Sequence, residues 1–232
     1  AQSIWGLSAD QVLGRLQRGD IEFLRQLPAE ELGDAPRLGA GASYCLAQHC
    51  TALGLHDQAE ALLAQEARRG RGPWRAEAAL ELGRRLLAQR RYGEAEALAK
   101  GGAGHETERL RIEALYWQER DREVLERLQS RRRAGAPWDA ELDLFAAVAR
   151  CRLAEPGWPQ GFTDLFLSVR ASPLHLRAYG FLLQRDALGS FEPATAAWFA
   201  AKDLLYRGQA AEALGRLEPV LGQLPAQYFD GT

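Results

Sequence analysis

A short pattern that joins one helix to the next recurs three times in this chain of 232 residues. In each copy a turn residue precedes a helix that carries an alanine, with an apolar residue four positions further on. The copies read Leu53-Gly54-x4-Ala59-x3-Leu63, Arg90-x-Tyr92-x2-Ala95-x3-Ala99 and Arg207-Gly208-x4-Ala213-x3-Leu217. Repeated helix pairs stack on one another, because a single pair cannot bury its apolar face. The pattern therefore predicts an all-α solenoid of stacked antiparallel helix pairs.

The composition favours helices along the whole chain. Ala, Leu, Glu, Arg and Gln dominate, β-branched residues are scarce, and apolar residues recur at spacings of three and four. Pro156 to Pro159 is expected to form a loop, and the tail from Gln227 is expected to be frayed or to lead into further residues. The expected helices lie at about 9–18, 20–27, 42–53, 57–69, 74–89, 92–100, 106–118, 121–132, 161–170, 173–185, 194–207 and 209–217, with one more opening at Trp138.

Small side chains stand where stacked helices would cross. Gly83 lies in the first helix of an expected pair, and Ala59, Ala95 and Ala213 lie in second helices. A larger side chain at a close crossing would force the two backbones apart. We therefore interpret these four residues as packing residues that report the fold and not the activity.

A second internal echo links two expected helix starts. Pro73-Trp74-Arg75-Ala76-Glu77 matches Pro137-Trp138-Asp139-Ala140-Glu141 at four of five positions, 64 residues further along the chain. This offset is about two repeats of roughly 32 residues, which fits the periods of helical repeats.

These units resemble the tetratricopeptide repeat family. The distance from Ala59 to Ala95 is 36 residues, close to the family's period of about 34. The family's early tryptophan is missing at Ser43 and Ala79, and Pro219 comes early for its final proline. The resemblance implies one right-handed helical-repeat domain over 1–232, regular at about 40–100 and 190–220 and irregular at 1–35 and 138–185. It rests on Leu46-Ala47, Gly54, Ala59, Leu82-Gly83, Tyr92, Ala95, Ala201, Gly208, Ala213 and Leu217.

The resemblance also implies a ligand groove lined by the first helix of each pair. An aromatic residue there can pack on a peptide, and Arg or Lys can hold a carboxylate. Ordinary core packing is the alternative for Trp198. By register, the groove candidates are Tyr44, Gln48, Glu77, Arg84, Leu87, Trp198, Lys202 and Leu205.

No catalytic motif stands out in the sequence. A Walker-type phosphate loop, G-x-S-x-G, H-E-x-x-H and C-x-x-C are all missing. Cys45 and His49 lie four apart, but structural zinc usually needs four convergent ligands, so we interpret them as a thiol and an imidazole without a metal. Three cysteines give no disulfide framework. We therefore expect no enzyme activity, no metal and no cofactor.

Charge and hydropathy narrow the range of partners. The net charge is −2, which argues against nucleic acid, and no apolar run is long enough for a transmembrane helix. The arginine clusters at 68–75, 84–91 and 131–133 are interpreted as soluble turns balanced by Glu, the alternative being a basic ridge for an acidic partner. We expect a protein or peptide partner.

Two functions remain open from the sequence. The first is a protein interaction scaffold that binds a partner through a solenoid groove. The alternative is the non-catalytic helical region that precedes the catalytic domain in soluble lytic transglycosylases of the bacterial cell wall, which has a similar irregular helical texture. The arginine-rich composition suggests a bacterial source, and the small residues of the opening Ala-Gln-Ser favour export to the periplasm over a cytoplasmic location.

Overall fold

The computed structural model describes residues 42–69, 72–168 and 172–228. Within these ranges the chain forms eleven α-helices and three short 3-10 helices, and it contains no strand. The expectation of an all-α fold is confirmed for this part of the chain. The α-helices are α1 (Ala42–Ala52), α2 (His56–Arg69), α3 (Pro73–Ala88), α4 (Tyr92–Lys100), α5 (His105–Trp117), α6 (Asp121–Arg133), α7 (Ala140–Arg152), α8 (Trp158–Ser168), α9 (Pro173–Gln184), α10 (Pro193–Tyr206) and α11 (Ala210–Leu217).

The helix bounds expected from the sequence agree with these, with two exceptions. From α1 to α6 and from α9 to α11, each end lies within one residue of its expected position. The exceptions are α7, which begins two residues after the expected start at Trp138, and α8. Helix α8 begins at Trp158, inside the stretch expected to be a loop. Pro159 is tolerated there because the first turn of a helix does not use its N–H groups in helical bonds. The helices expected at 9–18 and 20–27 lie outside the described residues.

The chain divides into two compact units, 1–114 and 115–232. The boundary falls inside α5. Each unit is described by itself below, and the expectation of a single repeat domain over the whole chain stays a prediction.

Small residues allow close helix packing in the first unit. Its core contains α1 to α4, and consecutive helices pack against each other. Ala59 and Ala95 have no exposed surface. A Cβ atom on Gly83 would lie 2.2 Å from a methyl carbon of Leu110, so the Leu110 side chain of α5 packs directly against α3 at this glycine.

The core of the second unit is rich in aromatic rings. Phe166 stacks on Phe199 with 4.1 Å between ring centres, and Tyr116 stacks on Phe145 at 4.3 Å. Tyr228 is buried and stacks on Trp198 at 4.3 Å. The tail is therefore not frayed as far as Tyr228, because this ring covers an aromatic surface that would otherwise face water.

One turn geometry recurs at the ends of the described helices. The second residue after the helix is left-handed, with φ between 50° and 77°. The next N–H donates to the carbonyl five residues back, at 2.8–3.2 Å. This is the Schellman arrangement, which satisfies carbonyls left over at a helix end. The left-handed residues are Gly54, Arg90, Glu119, Gly135, Ala154, Asp186 and Gly208.

Candidate binding site

The groove candidates of the first unit lie on α1 and α3. Tyr44 is half-buried, and its ring lies 5.6 Å from that of Trp74, a residue not among the candidates. Gln48 and Glu77 are exposed. Leu87 is half-buried and packs against the hydrophobic core. The Tyr44–Trp74 contact shows that α1 and α3 share a surface.

Arg84 forms one weak ion pair. Its guanidinium lies 3.4 Å from the carboxylate of Glu106 on α5, and the two side chains are 61% and 58% exposed. An ion pair this exposed contributes little to stability, about 0–1 kcal/mol. Arg84 therefore remains accessible to a ligand.

The groove candidates of the second unit lie at different depths. Trp198 is only 4% exposed and packs against Phe166, Phe199 and Tyr228, so its ring offers almost no surface to a ligand. Leu205 is 46% exposed. This burial of Trp198 agrees with the alternative of ordinary core packing.

Lys202 is half-buried beside this aromatic core. Its amine donates a hydrogen bond to the carbonyl of Phe166 and lies 4.6 Å from the centre of the Trp198 ring. Burial lowers the pKa of Lys202 to about 8, because the charged amine loses hydration. The side chain therefore belongs to the packing between α8 and α10.

The clearest concave feature of the described residues is a cleft in the second unit that sequence reasoning missed. It has a volume of about 830 Å³ and is lined by α6, α7 and α8. Ala146, Ala147 and Gly161 line it with small side chains, so no bulky group fills its centre. A cleft of this size falls in the usual range for ligand sites.

Three helices each contribute one row of side chains to the cleft. On α7, Asp143, Ala146, Ala147 and Arg150 follow the three- and four-residue spacing that places residues on one helix face. Asp139 caps this helix, since its carboxylate accepts hydrogen bonds from two N–H groups of the first turn at 3.0 and 3.1 Å. The same spacing brings Arg122, Leu125, Glu126 and Gln129 of α6 to the cleft, and Gly161, Asp164, Leu165 and Ser168 of α8.

Three side chains at the cleft interact with one another. Asp143 accepts a hydrogen bond from the indole of Trp138 at 2.9 Å and one from Arg132 at 3.2 Å. The guanidinium of Arg132 lies 4.3 Å from the centre of the Trp138 ring. These three side chains hold the loop before α7 and leave little capacity for a ligand.

Other polar groups of the cleft are available. Arg122, Glu126 and Gln129 are exposed, and their side chains form no hydrogen bond or ion pair with the described residues. Among the described residues, the Arg150 guanidinium pairs with Glu155 alone, at a long distance of 3.9 Å. The cleft therefore offers a cation, a carboxylate and an amide along one wall and a loosely held cation at the wall formed by α7.

No metal or thiol chemistry is evident in the described ranges. They contain no group of His, Cys, Asp or Glu able to hold a metal ion. Burial raises the pKa of the Cys50 thiol to about 11, which works against the thiolate needed for nucleophilic attack. Cys45 is exposed and Cys151 is half-buried.

None of the described helices is long and apolar enough to cross a membrane. Comparison of the chain with family models, with curated proteins and with solved structures found no match. The fold and the candidate sites therefore rest on the residues of this chain alone.

Proposed function

We propose that this chain is a non-enzymatic interaction module that binds a peptide segment of a partner protein. The observation that carries the proposal is the open cleft of α6 to α8, which presents unengaged polar groups along a lining of small residues. Such an arrangement suits an extended peptide, whose main chain needs hydrogen bonds and whose side chains need room.

The proposal includes a right-handed solenoid of the tetratricopeptide type. Five of the seven left-handed turns, at Gly54, Arg90, Glu119, Ala154 and Asp186, are spaced by about 29 to 36 residues, near the 34-residue period of that family. The turns at Gly135 and Gly208 fall outside this spacing. Helices two apart also contact each other within a unit, as α1 and α3 do and as α7 and α9 do. Both features support stacked helix pairs.

The groove candidates on α1 and α3 belong to the same proposal. Gln48, Glu77 and Arg84 are exposed side chains on α1 and α3 of the first unit. Leu205 is an exposed apolar residue of the second. Trp198 and Lys202 pack inside the second unit, so neither offers a comparably exposed surface.

A peptide selection tests the proposal. The full chain is immobilised and challenged with a displayed library of random peptides, and enriched peptides are titrated against purified variants. We expect Arg122→Glu to weaken binding at least tenfold, because it reverses an unengaged charge in the cleft. Arg216→Glu makes the same charge change on exposed α11 and should leave the affinity unchanged.

Three outcomes would contradict the proposal: no enriched peptide, equal weakening by both variants, or release of muropeptides from purified cell walls. Retention of the chain on insoluble peptidoglycan without any peptide binding would support the cell-wall alternative instead.

A further inference from the structure

The first unit exposes an aromatic ring whose counterpart in the second unit is covered by an arginine. The two rings belong to the five-residue echo, in which Trp74 and Glu77 correspond to Trp138 and Glu141. Trp74 lies in the first turn of α3, and Trp138 comes two residues before α7. Both rings therefore lie at a helix start, Trp74 within the first turn and Trp138 just before it.

In the second unit, arginine side chains of the chain itself contact both Trp138 and Glu141. Arg132 stacks over Trp138, with its guanidinium carbon 4.3 Å from the ring centre, and its charge is balanced by Asp143. Glu141 forms an ion pair with Arg177. A planar guanidinium is attracted to the negative face of an indole ring and to a carboxylate.

In the first unit, the Trp74 ring and the Glu77 carboxylate are both exposed. Trp74 is 39% exposed, and its ring contact is with Tyr44, at an interplanar angle of 37°. The carboxylate of Glu77 is exposed and forms no ion pair or hydrogen bond with the described residues. Residues three apart on a helix are neighbours on its surface, so the ring and the carboxylate lie on the same side of α3.

Sequence differences between the copies explain the opening. The residue that corresponds to Arg132 is Arg68, whose Nε donates instead to the carbonyl of Ala64 at 3.2 Å. The residue that corresponds to Asp143 is Ala79, which has no carboxylate to accept a bond from the Trp74 indole. The nearby Arg75 is also engaged, because its Nε donates to the carbonyl of Ala67 at 3.2 Å.

We propose that Trp74 and Glu77 form a binding site for an arginine side chain of a partner protein. The partner's guanidinium stacks on the open face of Trp74 and donates to Glu77, and Tyr44 supports the ring from the other helix. Lysine fits less well, because its ammonium is not planar and cannot stack and pair at once. This site lies in the first unit and does not depend on the cleft of the second.

Nuclear magnetic resonance of the full ¹⁵N-labelled chain tests the site directly. The probe is the peptide Gly-Arg-Gly with both ends capped, compared with the same peptide carrying neutral citrulline. The indole signal of Trp74 is identified by its loss in Trp74→Phe. We expect the arginine peptide to shift this signal saturably, the citrulline peptide to leave it in place, and the Trp138 signal to stay fixed.

Two carboxamide variants separate the site from general charge effects. Glu77→Gln should weaken the arginine peptide about two- to fivefold, the equivalent of one exposed ion pair. Glu94→Gln makes the same change at an exposed position on α4 and should leave its affinity unchanged. The proposal is overturned if Trp74 shows no saturable shift, if citrulline acts as well as arginine, or if the two variants weaken binding equally.

This test is independent of the peptide selection. A selected peptide that needs Arg122 but does not shift the Trp74 signal would support the proposed function. It would not support the arginine site. A saturable shift at Trp74 would support the arginine site even if selection against the cleft found nothing.

Discussion

The lack of a side chain at Gly83 matters for packing in the first unit. The position where its Cβ would stand is already within 2.2 Å of Leu110, a distance that no pair of carbon atoms tolerates without movement. Since Leu110 is itself buried, a larger residue at position 83 has to move the Leu110 side chain against its packed neighbours. The small residue expected at this position fits the packing of Leu110 against Gly83, whereas the close crossing of two helix backbones stays a prediction.

Replacing Gly83 should therefore destabilise the protein. We expect Gly83→Leu to lower the free energy of unfolding by about 1–3 kcal/mol through overpacking, measured by urea denaturation. Gly180→Ala is the matched control, because a Cβ on Gly180 meets nothing within 4 Å. It should stabilise α9 by about 0.5–1 kcal/mol. Equal effects of the two substitutions would mean that α3 and α5 are not in close contact at position 83.

Lys202 gives stability a defined pH dependence. Its pKa is about 8 in the folded protein and 10.5 in the unfolded chain, so between these values the unfolded state binds more protons. The contribution of Lys202 to the free energy of unfolding therefore rises from about pH 8 to pH 10.5.

A variant isolates this contribution. Lys202→Met keeps the length of the side chain without its charge, and we expect it to be more stable than the wild type at pH 7. The difference should shrink as the pH rises above 8. Urea denaturation of both proteins from pH 7 to 10 measures it, and a difference that stays constant over this range would contradict the burial of the amine.

At the scale of elements, the turn that follows the helices organises the chain. It is the same at seven helix ends of the described ranges, yet only Gly54, Gly135 and Gly208 mark it with glycine. Four copies place a residue with a side chain in the left-handed region. The sequence pattern was recognised at Gly54, Arg90 and Gly208, whereas the turns at Glu119, Gly135, Ala154 and Asp186 were not recognised as copies of it. Glycine alone therefore does not mark this turn in the sequence.

Exchanging the two kinds of turn residue tests this account. Ala154 has φ of 52°, a conformation that strains any residue with a Cβ atom. We expect Ala154→Gly to raise the free energy of unfolding by up to about 1 kcal/mol, the strain relieved being partly offset by the greater backbone freedom of glycine. Gly208→Ala should lower it by about 1 kcal/mol. Thermal or urea unfolding measures both, and a change of the same sign in the two variants would rule out a shared turn geometry.

At the scale of the whole molecule, the sequence predicted helices far better than sites. Helix bounds follow from local signals, such as the left-handed glycines and the prolines at helix starts. The cleft depends instead on how α6, α7 and α8 pack in space, and no local pattern marks Arg122 or Gln129 as its lining. Trp198 illustrates the converse, because a tryptophan placed by repeat register on a groove helix is buried under Tyr228, which comes from a tail expected to be frayed.

The central claim is that the cleft of the second unit receives a peptide. Ala146 lines the cleft and is 8% exposed, so Ala146→Phe fills the space with little change to the wall charges. Calorimetric titration of a selected peptide into this variant is the most direct test. The account predicts at least a tenfold loss of affinity with a melting temperature close to that of the wild type. Unchanged affinity in a folded Ala146→Phe protein would contradict it.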